Sequence, residues 1–134
     1  SGIRLMFKYP EPEDIGCVFC PSWAGVGKWG FVMYHPVLFY GKRPSYKGSR
    51  PASIQWTKQS EQNGHPCPKP IEWMKWCISL AGDPQTILDP FAGSGTTGRA
   101  AKDMGKQCTL IEREEKYCEI AAKRMAQEIL DFGG

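Results

Sequence analysis

The stretch from Ile87 to Gly98, with the sequence ILDPFAGSGTTG, constrains the fold of this chain more than any other. An apolar strand leads into Asp89, then into a glycine-rich turn, and then into the first residues of a helix. Glycines let backbone N–H groups approach a ligand without a side-chain clash, at the positive end of the helix dipole. With an acid directly before the turn, the pattern favours a nucleoside cofactor that has a positive centre over a bare phosphate.

Two other ligand classes compete for the same turn. A Walker-type phosphate loop ends in Gly-Lys-Ser/Thr, and Gly95-Thr96-Thr97 stands here instead, so that class is excluded. The spacing Gly93-x-Gly95-x-x-Gly98, with Glu112 further along the chain, satisfies the dinucleotide fingerprint. A nicotinamide-dependent oxidoreductase, which would bind NADH, therefore remains an alternative.

Three segments resemble motifs of the amino-group DNA methyltransferases, which use S-adenosylmethionine. The run from Asp89 to Thr96 resembles motif I, and Leu110-Ile111-Glu112 resembles motif II. The segment His65-Pro66-Cys67-Pro68-Lys69-Pro70 resembles motif X, more usually His-Pro-x-Gln-Lys-Pro. The order X, I, II is that of the permuted class, in which the catalytic motif precedes the cofactor motifs. The resemblance covers residues 63–130, and segments within residues 27–42 are more loosely similar to phage-type methylases.

The resemblance implies an α/β fold with a partial Rossmann-like methyltransferase sheet, in which helices flank parallel strands and a strand hairpin precedes them. We expect a single domain that is a fragment, with a hairpin and DNA-facing loop at 3–62 and a cofactor-binding half at 63–134. The residue pattern predicts strands at 15–20, 29–40, 86–89 and 107–112, a loop at 41–64, and helices at 70–80, 96–104 and 114–130.

The resemblance also implies roles for residues around the turn, with S-adenosylmethionine as the cofactor. Glu112 would accept hydrogen bonds from the two ribose hydroxyls, and Asp89 would lie near the methionine end or the sulfonium. Lys69 would approach the methionine carboxylate or pin the following helix, and His65 would be a structural hydrogen-bonding or turn residue. The residues expected to bind the cofactor are Asp89, Pro90, Phe91, Gly93, Ser94, Gly95, Thr96, Glu112, Lys69 and His65.

No catalytic residue is assigned, because the family's catalytic tetrapeptide, Asp/Asn/Ser-Pro-Pro-Tyr/Phe/Trp, does not occur in this sequence. The resemblance implies methylation of an exocyclic amine, at N6 of adenine or N4 of cytosine, and the sequence does not decide between the two bases. We expect the chain to be inactive alone and to need the missing catalytic segment or a second copy of itself.

The net positive charge is concentrated in the first part of the chain, because most of the acids lie in the second part. Residues 1–60 contain eight Lys/Arg and three Asp/Glu, whereas residues 61–134 contain nine and eleven. A loop with interleaved Gly and Pro is expected to contact the DNA phosphate backbone through Lys42, Arg43, Lys47 and Arg50. A solvated loop explains the same charges. A nucleic-acid-binding module without catalytic activity is a further alternative.

The remaining composition indicates a cytoplasmic protein without a membrane partner. No apolar run is long enough to cross a membrane and no signal peptide is present, so the six cysteines are interpreted as reduced thiols. No metal is assigned. A zinc site at Cys17, Cys20, His65 and Cys67 stays open, although His65-x-Cys67 is an unusually tight pair.

Overall fold

The computed structural model describes residues 7–21, 25–27, 30–45, 51–57 and 69–127. The chain divides into two compact units, residues 1–59 and residues 60–134. The assignment of 3–62 to DNA contact and 63–134 to cofactor binding stays a prediction. Within the described ranges, no helix combines the length and the hydropathy that a membrane crossing requires.

The first unit is built from short β-strands. They are β1 (Asp14–Phe19), β2 (Gly25–Gly27), β3 (Gly30–Val32), β4 (Tyr34–Phe39) and β5 (Ser53–Gln55). β1 pairs antiparallel with β4 and parallel with β5, so the sheet order is β4-β1-β5, while β2 and β3 form a separate antiparallel pair. The predicted N-terminal hairpin is therefore confirmed. The prediction of a loop throughout residues 41–64 is wrong where the chain forms β5.

Burial alternates along β1, because successive side chains of a strand point to opposite faces. Val18 is 2% exposed and Cys20, just beyond the strand, is 1% exposed. Gly16 lies on the same face, where a Cβ atom would collide with the carbonyl oxygen of Ala52 and approach the ring of Phe39. The segment before β5 can therefore approach β1 closely because the residue at position 16 has no side chain.

The second unit alternates helices and strands. Its elements are α1 (Ile71–Leu80), β6 (Thr86–Asp89), α2 (Thr96–Asp103), β7 (Gln107–Leu110) and α3 (Glu115–Ala126). β6 and β7 pair in parallel, with Thr86 opposite Gln107 and Asp89 opposite Leu110. The predicted α/β class with parallel strands and flanking helices is therefore confirmed. β7 ends two residues earlier than predicted, and the last residues of the predicted final helix lie outside the described part of the chain.

Alanine lets α1 and α2 pack closely above the strand pair. Ala100 and Ala101 are fully buried and form a core cluster with Ile78 of α1. Partly buried apolar side chains from α1, β6, β7 and the end of α2 complete this cluster, namely Ile71, Met74, Ile87, Met104 and Cys108. Because a methyl group adds little width, the helices approach while larger side chains fill the rim.

Helix α2 ends in a Schellman motif, which directs the chain into β7. Gly105 has a φ of 67°, and its N–H donates to the carbonyl of Lys102 over 3.0 Å. The N–H of Lys106 donates to the carbonyl of Ala101 over 2.9 Å. These two bonds satisfy carbonyls that the helix leaves unpaired, and glycine tolerates the left-handed conformation without strain.

Helix α3 is attached to α2 by polar contacts at its C-terminal end. Lys102 donates to the carbonyl of Met125 over 2.6 Å, and Arg99 donates to the carbonyl of Gln127 over 3.0 Å. Arg99 also pairs with Asp103 over 2.9 Å, and Lys75 of α1 pairs with the same carboxylate over 2.8 Å. Ion pairs between α1 and α2, together with hydrogen bonds from α2 to the carbonyls of α3, therefore connect the three helices of this unit.

Candidate functional site

The loop between β6 and α2 wraps over the end of β7. The backbone ladder continues beyond the strands, because the N–H of Ile111 donates to the carbonyl of Asp89 over 2.9 Å. The N–H of Ala92 then donates to the carbonyl of Ile111 over 3.0 Å. In open α/β sheets, ligands bind beyond the carboxyl ends of parallel strands, which is where these contacts place the loop.

Two glycines give this loop its shape. Gly93 has a φ of 53° and Gly95 a φ of 77°, a region that costs other residues conformational energy. The N–H of Gly95 donates to the carbonyl of Ala92 over 2.9 Å and closes a tight turn. Ala92, Ser94 and Thr96, which alternate with these glycines along the chain, are buried. The loop is therefore a compact turn with its backbone held in place.

The third glycine of the pattern lets α2 lie close to β7 and α3. A Cβ atom at Gly98 would stand 2.6 Å from Cδ1 of Leu110 and 3.2 Å from Sδ of Met125. At Gly95, a Cβ atom would stand 2.8 Å from the Cβ of Ala121. Helix and strand can approach to this distance only where the side chain is absent.

Asp89 ends β6 with its carboxylate turned back on the loop. Its Oδ1 accepts a hydrogen bond from the N–H of Phe91 over 3.0 Å, an Asx-type turn that fixes the direction of the chain after the strand. Burial raises the pKa of the Cys108 thiol on β7, and the negative charge of Asp89 raises it further. The half-buried carboxylate of Asp89 thus lies where β6 meets the loop, and a cation can approach it there.

Glu112 accepts three backbone hydrogen bonds. Its Oε2 accepts from the N–H of Gly93 over 2.8 Å, and its Oε1 accepts from the N–H groups of Arg113 and Glu114, each over 2.9 Å. The bonds from Glu114 and Gly93, then that from Arg113 together with its positive charge, hold the pKa of the Glu112 carboxyl below its ordinary value. The carboxylate is therefore anionic at neutral pH and joins the glycine loop to the start of α3.

Apolar side chains are exposed beside the loop. Phe91 is 88% exposed, Leu88 63% and Ile111 53%. Phe91 is therefore not part of the core of the described residues. An exposed ring next to a strand end can stack on a planar ligand.

Arg124 also lies near this site, and the sequence did not predict it. Its Nη1 donates to Oγ1 of Thr96, the first residue of α2, over 3.2 Å. Arg124 lies one helical turn beyond Ala121, which already contacts Gly95, so the two share a face of α3. The helical spacing of these two residues is the signal that could have identified it, once α3 was known to pack on the loop.

The structure brings together the predicted residues Asp89, Pro90, Phe91, Gly93, Ser94, Gly95, Thr96 and Glu112. Lys69 is half-buried directly before α1, and His65 lies outside the described residues. Of the residues expected to contact DNA, Lys42 and Arg43 are exposed after β4, whereas Lys47 and Arg50 lie outside the described ranges.

The zinc alternative is only partly covered by the structure. Cys17 and Cys20 belong to β1 and its end, whereas His65 and Cys67 lie outside the described residues. Among the residues that are described, no group of three or more His, Cys, Asp or Glu side chains is arranged to hold a metal ion. The sulfur of Cys17 instead lies 3.5 Å from the hydroxyl oxygen of Ser53.

Comparison with protein families identifies the chain over most of its length. The profile of a family described as DNA methylase, of the N6/N4 type, matches residues 10–123. Type II methyltransferase M2.LlaDCHI of Lactococcus lactis subsp. cremoris is 45% identical over 73 residues, which are 52% of this chain and 27% of that protein. Type II methyltransferase M.HinfI of Haemophilus influenzae is 39% identical over 67 residues, 49% of this chain and 19% of that protein. The matches thus span about a quarter or less of these curated relatives.

Solved structures show the same fold. The crystal structure of the M1.HpyAVI–SAM complex has a TM-score of 0.64 at 25% identity and covers 86% of this chain and 62% of that chain. The cytosine-N4-specific PvuII DNA methyltransferase has a TM-score of 0.62 at 17% identity, covering 93% of this chain and 55% of that chain.

Proposed function

The chain belongs to the DNA methylase family of N6/N4 type, and from this premise we propose that it is the S-adenosylmethionine-binding part of a DNA methyltransferase. The enzyme would methylate an exocyclic amine, at N6 of adenine or N4 of cytosine. One observation supports the proposal most directly. A glycine loop lies over the ends of two parallel strands, where the carboxylate of Asp89 accepts from Phe91 and that of Glu112 accepts from Gly93.

The described residues suit this cofactor chemically. The positive φ of Gly93 and Gly95 gives the loop a tight turn that residues with a side chain do not readily adopt. Asp89 can neutralise a cationic centre, Glu112 can accept from a hydroxyl, and Phe91 offers an exposed ring. When bound, S-adenosylmethionine supplies a methyl group activated by the positive sulfonium. Lys69 and His65 are proposed to support the methionine end and the turn before α1.

DNA is the proposed partner of the first unit. Lys42 and Arg43 follow β4 and are exposed, and cations in such a position can contact phosphates without reading sequence. We extend the same role to Lys47 and Arg50 because they belong to the same basic stretch. The excess of Lys/Arg over acids in residues 1–60 supports this assignment.

Methylation by this chain alone is not expected. An exocyclic amine is a weak nucleophile, because its lone pair is delocalised into the ring. The family's catalytic tetrapeptide activates that amine, and it does not occur in this sequence. We propose that a further polypeptide segment, or a second copy of the chain, completes the catalytic site.

Calorimetric titration with S-adenosylhomocysteine tests cofactor binding, with NADH as the competing ligand. We expect saturable binding of S-adenosylhomocysteine alone. Gly93→Val should abolish it, because valine is strained at a φ of 53°. Gly105→Val is the matched control, since that glycine also has a positive φ, of 67°, but closes α2 away from the loop.

Two outcomes would contradict the proposal, and a third would contradict the role of the glycine loop. Binding of NADH alone would support the dinucleotide alternative. Binding of DNA without any binding of S-adenosylhomocysteine would support a nucleic-acid-binding module. Equal loss of affinity in Gly93→Val and Gly105→Val would show that general destabilisation, rather than the loop, controls binding.

A further inference from the structure

Helix α3 meets the end of the glycine loop through two residues of one face. A Cβ atom at Gly95 would stand 2.8 Å from the Cβ of Ala121. Three residues further along α3, on the same face of the helix, Nη1 of Arg124 donates to Oγ1 of Thr96 over 3.2 Å. The contact at Gly95 depends on shape alone, whereas the hydrogen bond to Thr96 fixes a direction as well as a distance.

Thr96 is a buried residue at the junction of the glycine loop and α2. It is the first residue of the helix, is 7% exposed, and directly follows Gly95, whose φ is 77°. A buried hydroxyl requires a hydrogen-bond partner, and Arg124 provides one. In a helix the Thr side chain divides between two χ1 rotamers, so a donor held by another helix selects one of them. Arg124 therefore determines the side-chain orientation at the first residue of α2.

The guanidinium of Arg124 lies at an electrostatically unfavourable end of α2. The N-terminus of a helix carries a partial positive charge, so acidic side chains stabilise it and cations destabilise it. The first turn of α2 contains no acidic residue, and its N-cap residue, Gly95, has no side chain that could offset the charge. The repulsion therefore offsets part of what the hydrogen bond to Thr96 contributes to stability. The position of Arg124 is explained better by the orientation of the loop than by stabilisation of α2.

We infer that Arg124 is a positioning residue, which acts through Thr96 to hold the glycine loop in the conformation that binds the cofactor. This inference rests on the proposed function, because the cofactor site is the one proposed above. Binding to a loop that is already ordered costs less conformational entropy than binding that must order it. Arg99 of α2 donates to the carbonyl of Arg124 over 3.4 Å, so the two helices are also joined at the backbone of this residue.

The first test is amide hydrogen exchange in the ligand-free chain, followed by NMR. The N–H of Gly95 donates to the carbonyl of Ala92, and the N–H of Arg99 donates to that of Gly95, so these amides report on the loop and on the first turn of α2. Arg124→Met should speed both exchanges about threefold or more, because a hydrogen bond to a charged group is lost. The matched control is Lys123→Met, which removes the same charge from an exposed position on α3. Unchanged exchange in Arg124→Met would overturn the inference.

The second test separates an effect through Thr96 from direct contact with the ligand. S-adenosylhomocysteine is titrated by calorimetry into the wild-type chain, Arg124→Met, Thr96→Val and the double variant, since valine keeps the shape of threonine without its hydroxyl. We expect Arg124→Met to weaken binding about tenfold in the wild-type background and less than about threefold in the Thr96→Val background, because the two residues act as a unit. Equal weakening in both backgrounds would show that Arg124 acts independently of Thr96, and would overturn the inference.

A third comparison separates positioning of the loop from general stability. Lys102→Ala also weakens the attachment of α3 to α2, because Lys102 donates to the carbonyl of Met125, but it removes neither partner of the bond between Arg124 and Thr96. It should lower the free energy of unfolding in urea while changing the affinity for S-adenosylhomocysteine by less than about threefold. Affinity losses that follow the losses of stability across Lys102→Ala and Arg124→Met would overturn the inference.

If Arg124→Met does not fold, two variants at position 96 decide the link between α3 and the loop. Thr96→Ser keeps the acceptor and should leave exchange at Arg99 unchanged within about twofold, whereas Thr96→Val should speed it about threefold or more. Equal exchange in the two variants would overturn the inference. Absence of S-adenosylhomocysteine binding by the wild-type chain would overturn the proposed function and this inference with it. Binding that does not respond to Arg124→Met would overturn the inference alone.

Discussion

Gly95 and Gly105 have similar backbone conformations in different surroundings. Their φ values are 77° and 67°, so a side chain at either position is strained. At Gly95 a Cβ atom would also press against the Cβ of Ala121, whereas at Gly105 nothing lies within 4 Å. The pair therefore separates the cost of conformation from the cost of crowding.

We predict that Gly105→Ala lowers the free energy of unfolding by about 1–2 kcal/mol, the cost of a left-handed alanine. Gly95→Ala should lower it by about 1–3 kcal/mol more, because overpacking adds to the strain. Urea unfolding of both variants checks this. Equal losses would mean that α3 shifts away from the loop without cost.

Asp103 gives the second unit a dependence on acid. Burial raises the pKa of its carboxyl, but the hydrogen bond and charge of Lys75, together with those of Arg99, outweigh burial and lower the pKa overall. The side chain is 14% exposed, so solvent screens these pairs only partly. A lowered folded-state pKa stabilises the fold in the ionised form.

We predict that this stabilisation is complete above the pKa that an Asp carboxyl has in the unfolded chain, about 4. It is lost as the pH falls through the lower pKa of Asp103 in the folded chain. Asp103→Asn should reduce stability at pH 7 and flatten its fall in acid. Thermal unfolding across pH 2–7 would show this as converging curves for the two proteins. Parallel curves would assign the acid sensitivity to other carboxyls, Glu112 among them.

At the scale of elements, the end of α3 depends on side chains of α2. A helix leaves its last carbonyls unpaired, and Lys102 donates to that of Met125 over 2.6 Å and to that of Gln127 over 3.3 Å. The positive charge also complements the negative end of the α3 dipole. Helix α2 thus supplies a cap that α3 does not provide for itself.

We predict that Lys102→Ala lowers the free energy of unfolding by about 1 kcal/mol, a typical value for a lost hydrogen bond. Lys123→Ala removes the same charge near the same helix end from an exposed position, and should change stability by less than about 0.5 kcal/mol. Circular dichroism during urea unfolding measures both. Equal effects would reduce the contribution of Lys102 to its charge alone.

The elements with strong local signals could be predicted from the sequence. β6 and α2 were predicted because an apolar run, an acid and three glycines specify a strand, a turn and a helix start in adjacent positions. β5 was missed because its three residues lie among Gly, Pro and Ser, and because its pairing with β1 bridges a long sequence separation. Local propensity gives no information about a partner strand that is distant in the sequence.

At the site, the sequence predicted which residues meet but not how they bond. The spacing of Asp89, the glycines and Glu112 follows from the strand-turn-helix pattern, and the structure brings them together. The bond from Gly93 to Glu112 and the contact of Arg124 with Thr96 depend on the packing of α3, which no short motif encodes. These two contacts are therefore determined by the tertiary structure rather than by the local sequence.

At the scale of the whole molecule, the described residues proposed to bind the cofactor belong to the unit formed by residues 60–134. The basic residues proposed to contact DNA belong to the unit formed by residues 1–59. The uneven distribution of net charge along the sequence follows the same division. The two proposed binding activities can therefore be perturbed one at a time.

We predict that Val18→Ala, in the core of the first unit, lowers stability by on the order of 2 kcal/mol through the lost methyl groups and the cavity. The affinity for S-adenosylhomocysteine should change by less than about threefold, because about 0.6 kcal/mol or less should reach the second unit. Calorimetry below the unfolding temperature checks this. A tenfold weaker Kd would show that the first unit supports the cofactor site.

The three donors that Glu112 receives are backbone N–H groups, and this has a consequence for how the sequence can drift. Every residue except proline carries such a donor, so the side chains of Arg113 and Glu114 are free to vary without breaking the bonds to Glu112. A saturation library selected for cofactor binding should therefore tolerate most substitutions at these two positions and reject proline, while position 112 stays acidic. The arrangement can persist over long divergence, because only one of its side chains needs to be inherited.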